Sequence, residues 1–373
     1  MIYRFLEKEL SLKLHKNKAI ILLGGRQVGK TILLKKITDN RNDTIWLNAD
    51  EPDIKAMLDN ATSTRMKSYF GKNKIVVIDE AQQINDIGRK LKLITDTLTD
   101  IQVIATGSSA FEIKNKTNEP LTGRKWEFHL FPLSFSEMVA EHGLIEEKRM
   151  IPHRLVYGYY PEVVIHAGEE RERLKLLSDS FLYKDILMYQ GLKKPEKLIH
   201  LLKILAASLG SEINYNQLSK QLQLNNETVE KYIQLLEQCY IVFRLPAFST
   251  HLTKELKKGR KVYFFDNGII NSLTGNFSVI ENRNDKGALW ENFVITELYK
   301  RNEYKKKFGN FFFWRTHDQQ EIDLIIREGS LLKAYEIKWS EKNKPRLSKT
   351  FSSNYPKHQF EFINLQNIEE FLL

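Results

Sequence analysis

The stretch "AIILLGGRQVGKT" (19–31) limits what this chain can fold into more than any other feature. Its apolar opening runs straight into a glycine pair, which reads as a buried strand stopped by a turn. Gly24, Gly29, Lys30 and Thr31 then fill the pattern G-x-x-x-x-G-K-[ST], and "ILLKKI" continues as a helix. In such a loop the glycines let backbone N–H groups curl around phosphates, and the following helix adds its dipole. Lys30 is expected to reach the β- and γ-phosphates, and the Thr31 hydroxyl to help hold Mg²⁺. The loop residues Gly25, Arg26, Gln27 and Val28, with Ile32 just beyond, complete the expected nucleotide contacts. A strand, a glycine loop and a helix in this order require a parallel sheet with helices on its faces.

The rest of such a site follows in order. "KIVVIDEAQQI" (74–84) is an apolar strand, Ile75 to Ile78, that ends on Asp79 and Glu80. Carboxylates at the C-terminal end of a parallel strand lie where ligands bind in open α/β sheets. Asp79 is expected to hold Mg²⁺ through water and Glu80 to polarise an attacking water; the plain alternative for Glu80 is an N-cap of the next helix. "DIQVIATGSSA" (100–110) is another apolar strand, ending in Thr106, Gly107, Ser108 and Ser109. Thr106 or Ser108 is expected to sense the γ-phosphate, the alternative being a turn rich in small polar residues. "TIWLNADEPD" (44–53) reads as a further strand and loop, with helices at 29–38 and 86–98. The base-reading motif N-K-x-D is not completed by "NKTN" (115–118), so ATP is expected rather than GTP. Arg124, in "LTGRKWEFHLFPLSFSE" (121–137), precedes an amphipathic strand. It is a candidate arginine finger for a neighbouring subunit in a homo-oligomer, or else a surface loop arginine.

Composition narrows the setting. The 373 residues suffice for two or three domains with real cores. No apolar run reaches membrane-spanning length, and the charged N-terminus lacks the uninterrupted apolar stretch of a signal peptide. The single cysteine, Cys239, cannot form an internal disulfide, so a cytoplasmic setting is expected. A net charge of +10 permits nucleic-acid binding without establishing it.

The middle is helical from 168 to 208. "INYNQLSKQLQLNNETVEKYIQLLEQCYIVFRLPAF" (213–248) then splits into a short helix, a turn, and a helix with Val229, Ile233 and Leu236 on one face. A basic turn, "KKGRK", and the strand "VYFFD" follow. Helix, turn, helix and hairpin is the order of a winged helix, in which the second helix reads DNA and the wing touches phosphate. Lys257, Lys258, Arg260 and Lys261 are the expected phosphate contacts. Glu227 and Glu230 on the second helix oppose a DNA-reading role, so a structural module stays open beside it.

Toward the C-terminus, "EIDLIIREGSLLKAYEIKWS" (321–340) has two alternating runs around Gly329-Ser330. Gly at the first central position suits a two-residue type II′ hairpin. That register puts Asp323 opposite Glu336, with Lys338 on the same face. Opposed carboxylates need a positive charge between them. In "GALWENFVITELYKRN" (287–302), Glu291 lies on or beside an apolar helical stripe and calls for a partner. Asp323 and Glu336 binding a metal ion, Glu291 supporting it and Lys338 orienting a water would make a phosphodiester site. Lys338 alone offsetting the two acids is the alternative.

The whole resembles a large family of prokaryotic AAA-type ATPases. The stretches that carry the resemblance are "GGRQVGKT", "VVIDEAQ", "ATGSSA", "LTGR…PLSFSE", "YGYYPEVV", "YKDI", "KVYFFDNGI", "LWENFVITEL" and "EIDLII…AYEIKWS". The resemblance implies an α/β P-loop NTPase domain (1–165), a helical and winged-helix domain (166–279), and a C-terminal domain of unknown function (280–373) that looks like the PD-(D/E)xK restriction-endonuclease fold. It implies ATP binding by Lys30 and Thr31, hydrolysis through Asp79 and Glu80, and nuclease-like positions at Glu291, Asp323, Glu336 and Lys338. Two functions stay open: ATP turnover that drives a DNA-acting module, or a nucleotide switch whose last domain only binds DNA or a protein partner.

Overall fold

The structure, a computed structural model, describes residues 2–39, 41–108, 121–180, 194–249, 259–316, 318–340 and 346–373. Ser109, "NKTN", "YKDI", Lys257 and Lys258 lie outside these residues. The chain forms two compact units, Met1–Pro132 with Gln238–Tyr240, and Leu133–Glu237 with Ile241–Leu373.

The first unit is built on one sheet of β1 (Ala19–Leu23), β2 (Thr44–Asn48), β3 (Ile75–Asp79), β4 (Gln102–Gly107) and β5 (Lys125–His129). Their order is β2-β3-β4-β1-β5, and every neighbouring pair is parallel. β1 and β4 are buried along their whole length, as continuous apolar runs require when helices cover both faces. The expected helices form at Lys30–Thr38 and Ile87–Thr97. Because β4 lies between β1 and β3, the loop after β1 and the acids after β3 flank the end of β4.

In the second unit the described helices include Phe135–His142, Leu144–Tyr157, Pro195–Ala207 and Asn267–Thr274. Helix Asn226–Gln238 buries Val229, Ile233 and Leu236, as their spacing predicts. It leads into the antiparallel pair β6 (Val242–Pro246) and β7 (Arg260–Phe264). The sequence sets the first domain boundary near 165, whereas the packing puts residues 133–165 with the second unit. The reason is polar as well as apolar. The last carbonyls of a helix need donors from outside it, and for helix Leu144–Tyr157 buried Asn271 supplies them. Its Nδ2 donates to the carbonyls of Leu155 at 3.0 Å and Val156 at 2.7 Å.

The C-terminal part carries helix Lys286–Tyr304 and the strands β8 (Asn310–Arg315), β9 (Glu321–Glu328), β10 (Leu331–Ile337) and β11 (His358–Ile363). The sheet order is β11-β10-β9-β8, antiparallel except for the parallel pair β10 and β11. Phe248, Phe312, Trp314, Ile322, Ile325, Leu332 and Phe351 form its core. The hairpin turns at Gly329, with φ of +62°, and pairs Glu328 with Leu331 through to Leu324 with Tyr335. Continued by one residue, this register sets Asp323 against Glu336. Among the described residues no helix is long and apolar enough to cross a membrane.

Replacing Asn271 by Ala would strip the donors from two buried helix-end carbonyls. The expected loss of unfolding free energy is about 1–3 kcal/mol, measured by urea denaturation; a loss under about 0.5 kcal/mol would show that the cap holds nothing.

Candidate functional site

The nucleotide loop is shaped by contacts that leave no room for side chains. A Cβ on Gly24 would lie 2.1 Å from the Leu130 carbonyl oxygen, so only glycine fits. Gly29 has φ of +96° and opens helix Lys30–Thr38. The Lys30 ammonium, 6% exposed, donates to the carbonyls of Gly24 at 2.9 Å and Gly25 at 2.8 Å. It is thereby drawn back over the loop that precedes it. Thr31 Oγ1 donates to Asp79 Oδ2 at 2.9 Å, which joins the loop after β1 to the end of β3.

Thr106, from the strand between them, holds the acids in place. Its hydroxyl donates to Asp79 Oδ1 and accepts the Glu80 N–H at 3.1 Å. Glu80 sits in the left-handed region, φ 51° and ψ 42°, and its side chain makes no cap bond. It stands at the N-cap position of the short helix Ala81–Gln83, as the sequence allowed, but its side chain does not cap that helix. Its carboxylate accepts from Gln82 Nε2 at 2.5 Å and from Ser108 Oγ at 3.4 Å. The structure thus brings together Lys30, Thr31, Asp79, Glu80, Thr106 and Ser108. It adds Gln82, which was not singled out because nothing in "DEAQQI" marks its amide as facing back onto Glu80.

Arg124 lies elsewhere in this unit. Its carbonyl accepts the Ala19 N–H at the start of β1, so it stands at the sheet edge opposite the loop. Its guanidinium, 46% exposed, pairs with Asp96 at 2.7 Å.

The basic turn departs from expectation. Lys261 is buried and pairs with Glu291 at 3.6 Å and with Glu321, its ammonium lying 5.4 Å from the Phe313 ring centre. Arg260 pairs with Glu230 at 3.3 Å. The two described residues of the basic turn thus direct their charge to acids of their own unit. Glu230, which would have opposed phosphate, is used to bind Arg244 and Arg260.

The acids of the C-terminal part surround this lysine. The partner that Glu291 required is Tyr263, whose hydroxyl donates to Oε1 at 2.6 Å, together with Lys261. Lys338 contacts Asp323 Oδ2 at 3.1 Å and Glu336 Oε1 at 2.8 Å, and the Ile337 N–H donates to Asp323 Oδ2 at 2.8 Å. The Lys338 ammonium lies between the opposed carboxylates. Among the described residues no three His, Cys, Asp or Glu side chains converge on a point that would hold a metal ion. Burial, with the charge of Asp323, pushes the Glu291 carboxyl up to about 7, and burial with Asp323 also raises Glu336. Burial works against the charge on Lys261 and Lys338, but the surrounding carboxylates outweigh it and raise both.

Comparison with known proteins gives three matches along the chain. Residues 16–139 match an AAA domain, residues 148–279 a domain of unknown function (DUF8612), and residues 286–368 a domain of unknown function (DUF4143). The chain is 24% identical over 387 residues to an uncharacterised protein of Methanocaldococcus jannaschii, covering 98% of this chain and 85% of that one. It is 25% identical over 339 residues to an uncharacterised protein of Haemophilus influenzae, covering 83% and 79%. Among solved structures it is similar to a Walker-type ATPase of Pyrococcus abyssi, with TM-score 0.50 and 15% identity over 72% of this chain and 94% of that one. With the five-stranded parallel sheet, these matches give the first unit the P-loop ATPase fold.

The raised Glu291 carboxyl has a pH signature. In the unfolded chain this group releases its proton near pH 4.3, and in the folded protein near 7. Between those values the folded state binds the extra proton, so its contribution to stability falls as pH rises through the window. Relative to Glu291→Gln, the wild-type protein is expected to lose up to about 3 kcal/mol of unfolding free energy between pH 4.3 and pH 7, at 1.36 kcal/mol per unit. Parallel stability curves for the two proteins would show that Glu291 titrates normally.

Proposed function

We propose that the first unit binds and hydrolyses ATP with Mg²⁺. The observation that carries this reading is the meeting of the Thr31 hydroxyl and the Asp79 carboxylate at 2.9 Å, beside the loop that holds Lys30. A hydroxyl and a carboxylate are hard oxygen donors, and Mg²⁺ takes one or two such groups and completes its shell with water and substrate phosphate. Thr31 and Asp79 fit that requirement. Held by Thr31 and Asp79, Mg²⁺ would supply positive charge to offset that of the phosphates. The chain's own groups do the rest. Lys30 offers its charge to the phosphates, and Glu80, held by Gln82 and Ser108, takes the proton of the attacking water. Thr106 keeps Asp79 and Glu80 in register with each other.

Replacing Lys30 by Ala is expected to weaken nucleotide binding by about 10–100-fold, the weight of charge-assisted hydrogen bonds. Glu80→Gln keeps binding but slows hydrolysis by about 10²–10⁴-fold, because only the proton acceptor is lost. Wild-type turnover in Glu80→Gln would end this assignment. Arg124 is proposed to complete a neighbouring copy's site, which its place at the sheet edge away from Lys30 supports. Mixing Arg124→Ala with Lys30→Ala protein then restores partial ATPase activity; two mutants that stay inactive together would sink the in-trans role.

A second reading concerns the output. The engagement of Lys261, Arg260 and Lys338 with carboxylates of their own unit favours a nucleotide switch whose C-terminal part binds DNA or a protein partner over one that cleaves DNA. Full-length protein incubated with plasmid DNA and Mg²⁺ or Mn²⁺ is expected to leave the DNA intact. Cleavage that disappears in Asp323→Asn would instead establish the nuclease.

A further inference from the structure

Arg4 stands at the N-cap of helix Phe5–Lys13 and is 6% exposed. A buried guanidinium needs acceptors for its fork of N–H groups. Nη1 donates to the Val28 carbonyl at 2.7 Å, and Nη2 to the Phe131 carbonyl at 2.6 Å. The first acceptor belongs to the phosphate loop itself. A Cβ built on the next residue, Gly29, would lie 3.7 Å from Arg4 Nη1. The guanidinium therefore rests against the peptide that joins Val28 to Gly29.

In a planar trans peptide the C=O and N–H point in opposite directions. With the Val28 carbonyl turned to Arg4, the Gly29 N–H is turned away from it. Glycine does not fix this orientation by itself, since it accepts both signs of φ; Gly29 has φ of +96°. The second arm of Arg4 reaches the segment that supports the start of the loop. Leu130, next to Phe131, donates its N–H to the Leu23 carbonyl at 2.7 Å and packs its own carbonyl against Gly24. One side chain thus ties both ends of the loop to a single point. The helix that carries it is seated by buried Leu6 and Leu10, while half-exposed Glu7 pairs with Lys36 at 2.6 Å on its outer side.

We infer that Arg4 is a positioning residue of the nucleotide site, which presets the Gly29 N–H for a phosphate oxygen; this rests on the ATP-binding reading above. Arg4 touches no reacting atom, so it stabilises the bound nucleotide and the transition state alike.

The test titrates ADP into the full-length protein by calorimetry and follows ATP turnover. Arg4→Ala is expected to raise the Kd for ADP about tenfold and to raise KM for ATP with kcat unchanged at saturation. Glu7→Gln loosens the same helix without touching a loop atom, and keeps the wild-type Kd. Arg4→Lys keeps the charge but offers one nitrogen where two are used, and is expected to raise Kd about two- to fivefold; it carries the test if Arg4→Ala does not fold. Wild-type affinity in either Arg4 variant overturns the inference, as does an equal loss in Glu7→Gln. If Lys30→Ala weakens ADP binding while Arg4→Ala does not, this inference falls and the ATP site stands. If the wild-type protein binds no ADP, both fall together.

Discussion

The placing of β4 between β1 and β3 governs the nucleotide site. With β4 between them, the Thr31 hydroxyl still reaches Asp79, and the inserted strand adds a hold on the backbone of Glu80. The inserted strand ends in Thr106, whose hydroxyl has one proton to give and lone pairs to receive. It gives the proton to Asp79 and receives the Glu80 N–H. Glu80 needs such a hold, since a non-glycine residue in the left-handed region carries backbone strain that the surroundings must offset. Strand order, one hydroxyl and a strained glutamate are a single arrangement.

A different logic holds the second unit together. Around β7 its charged groups are buried in pairs, which offsets the cost of bare charge in a low dielectric. Lys261 serves Glu291 and Glu321, Lys338 serves Asp323 and Glu336, and Arg315 lies 3.6 Å from Glu212 and 3.7 Å from Glu321. The acids outnumber the cations in this cluster, and burial together with the charge of Asp323 raises the Glu291 carboxyl.

How much of this was legible in the sequence depends on how local the information is. The loop 24–31 could be read outright, because glycine spacing, lysine and threonine act over a few residues. The hairpin register could be counted from Gly329-Ser330, since a two-residue turn fixes every pair beyond it. Thr106 was found as a polar strand end, but its duty toward Asp79 depends on strand order, which no short stretch encodes. Arg4 left no signal, as its acceptors lie 24 and 127 residues away. Lys261 was misread because "KKGRK" looks like a solvated turn. The clue was that Lys261 and Tyr263 alternate onto one face of a strand, yet which carboxylates meet that face is decided by the fold.

The lysine on β7 also changes what the C-terminal segment is. The match to residues 286–368 begins well after Lys261 and Tyr263, which hold Glu291. A chain cut between the two would lose both of those partners of its buried acid, and with them Phe248 from the core. In sequence the last segment is a module; in its charge balance it is an open circuit closed by the strand before it. Shuffling that segment onto another scaffold would therefore require a replacement cation or a neutral residue at position 291, so the electrostatic boundary of the domain lies earlier than its evolutionary one.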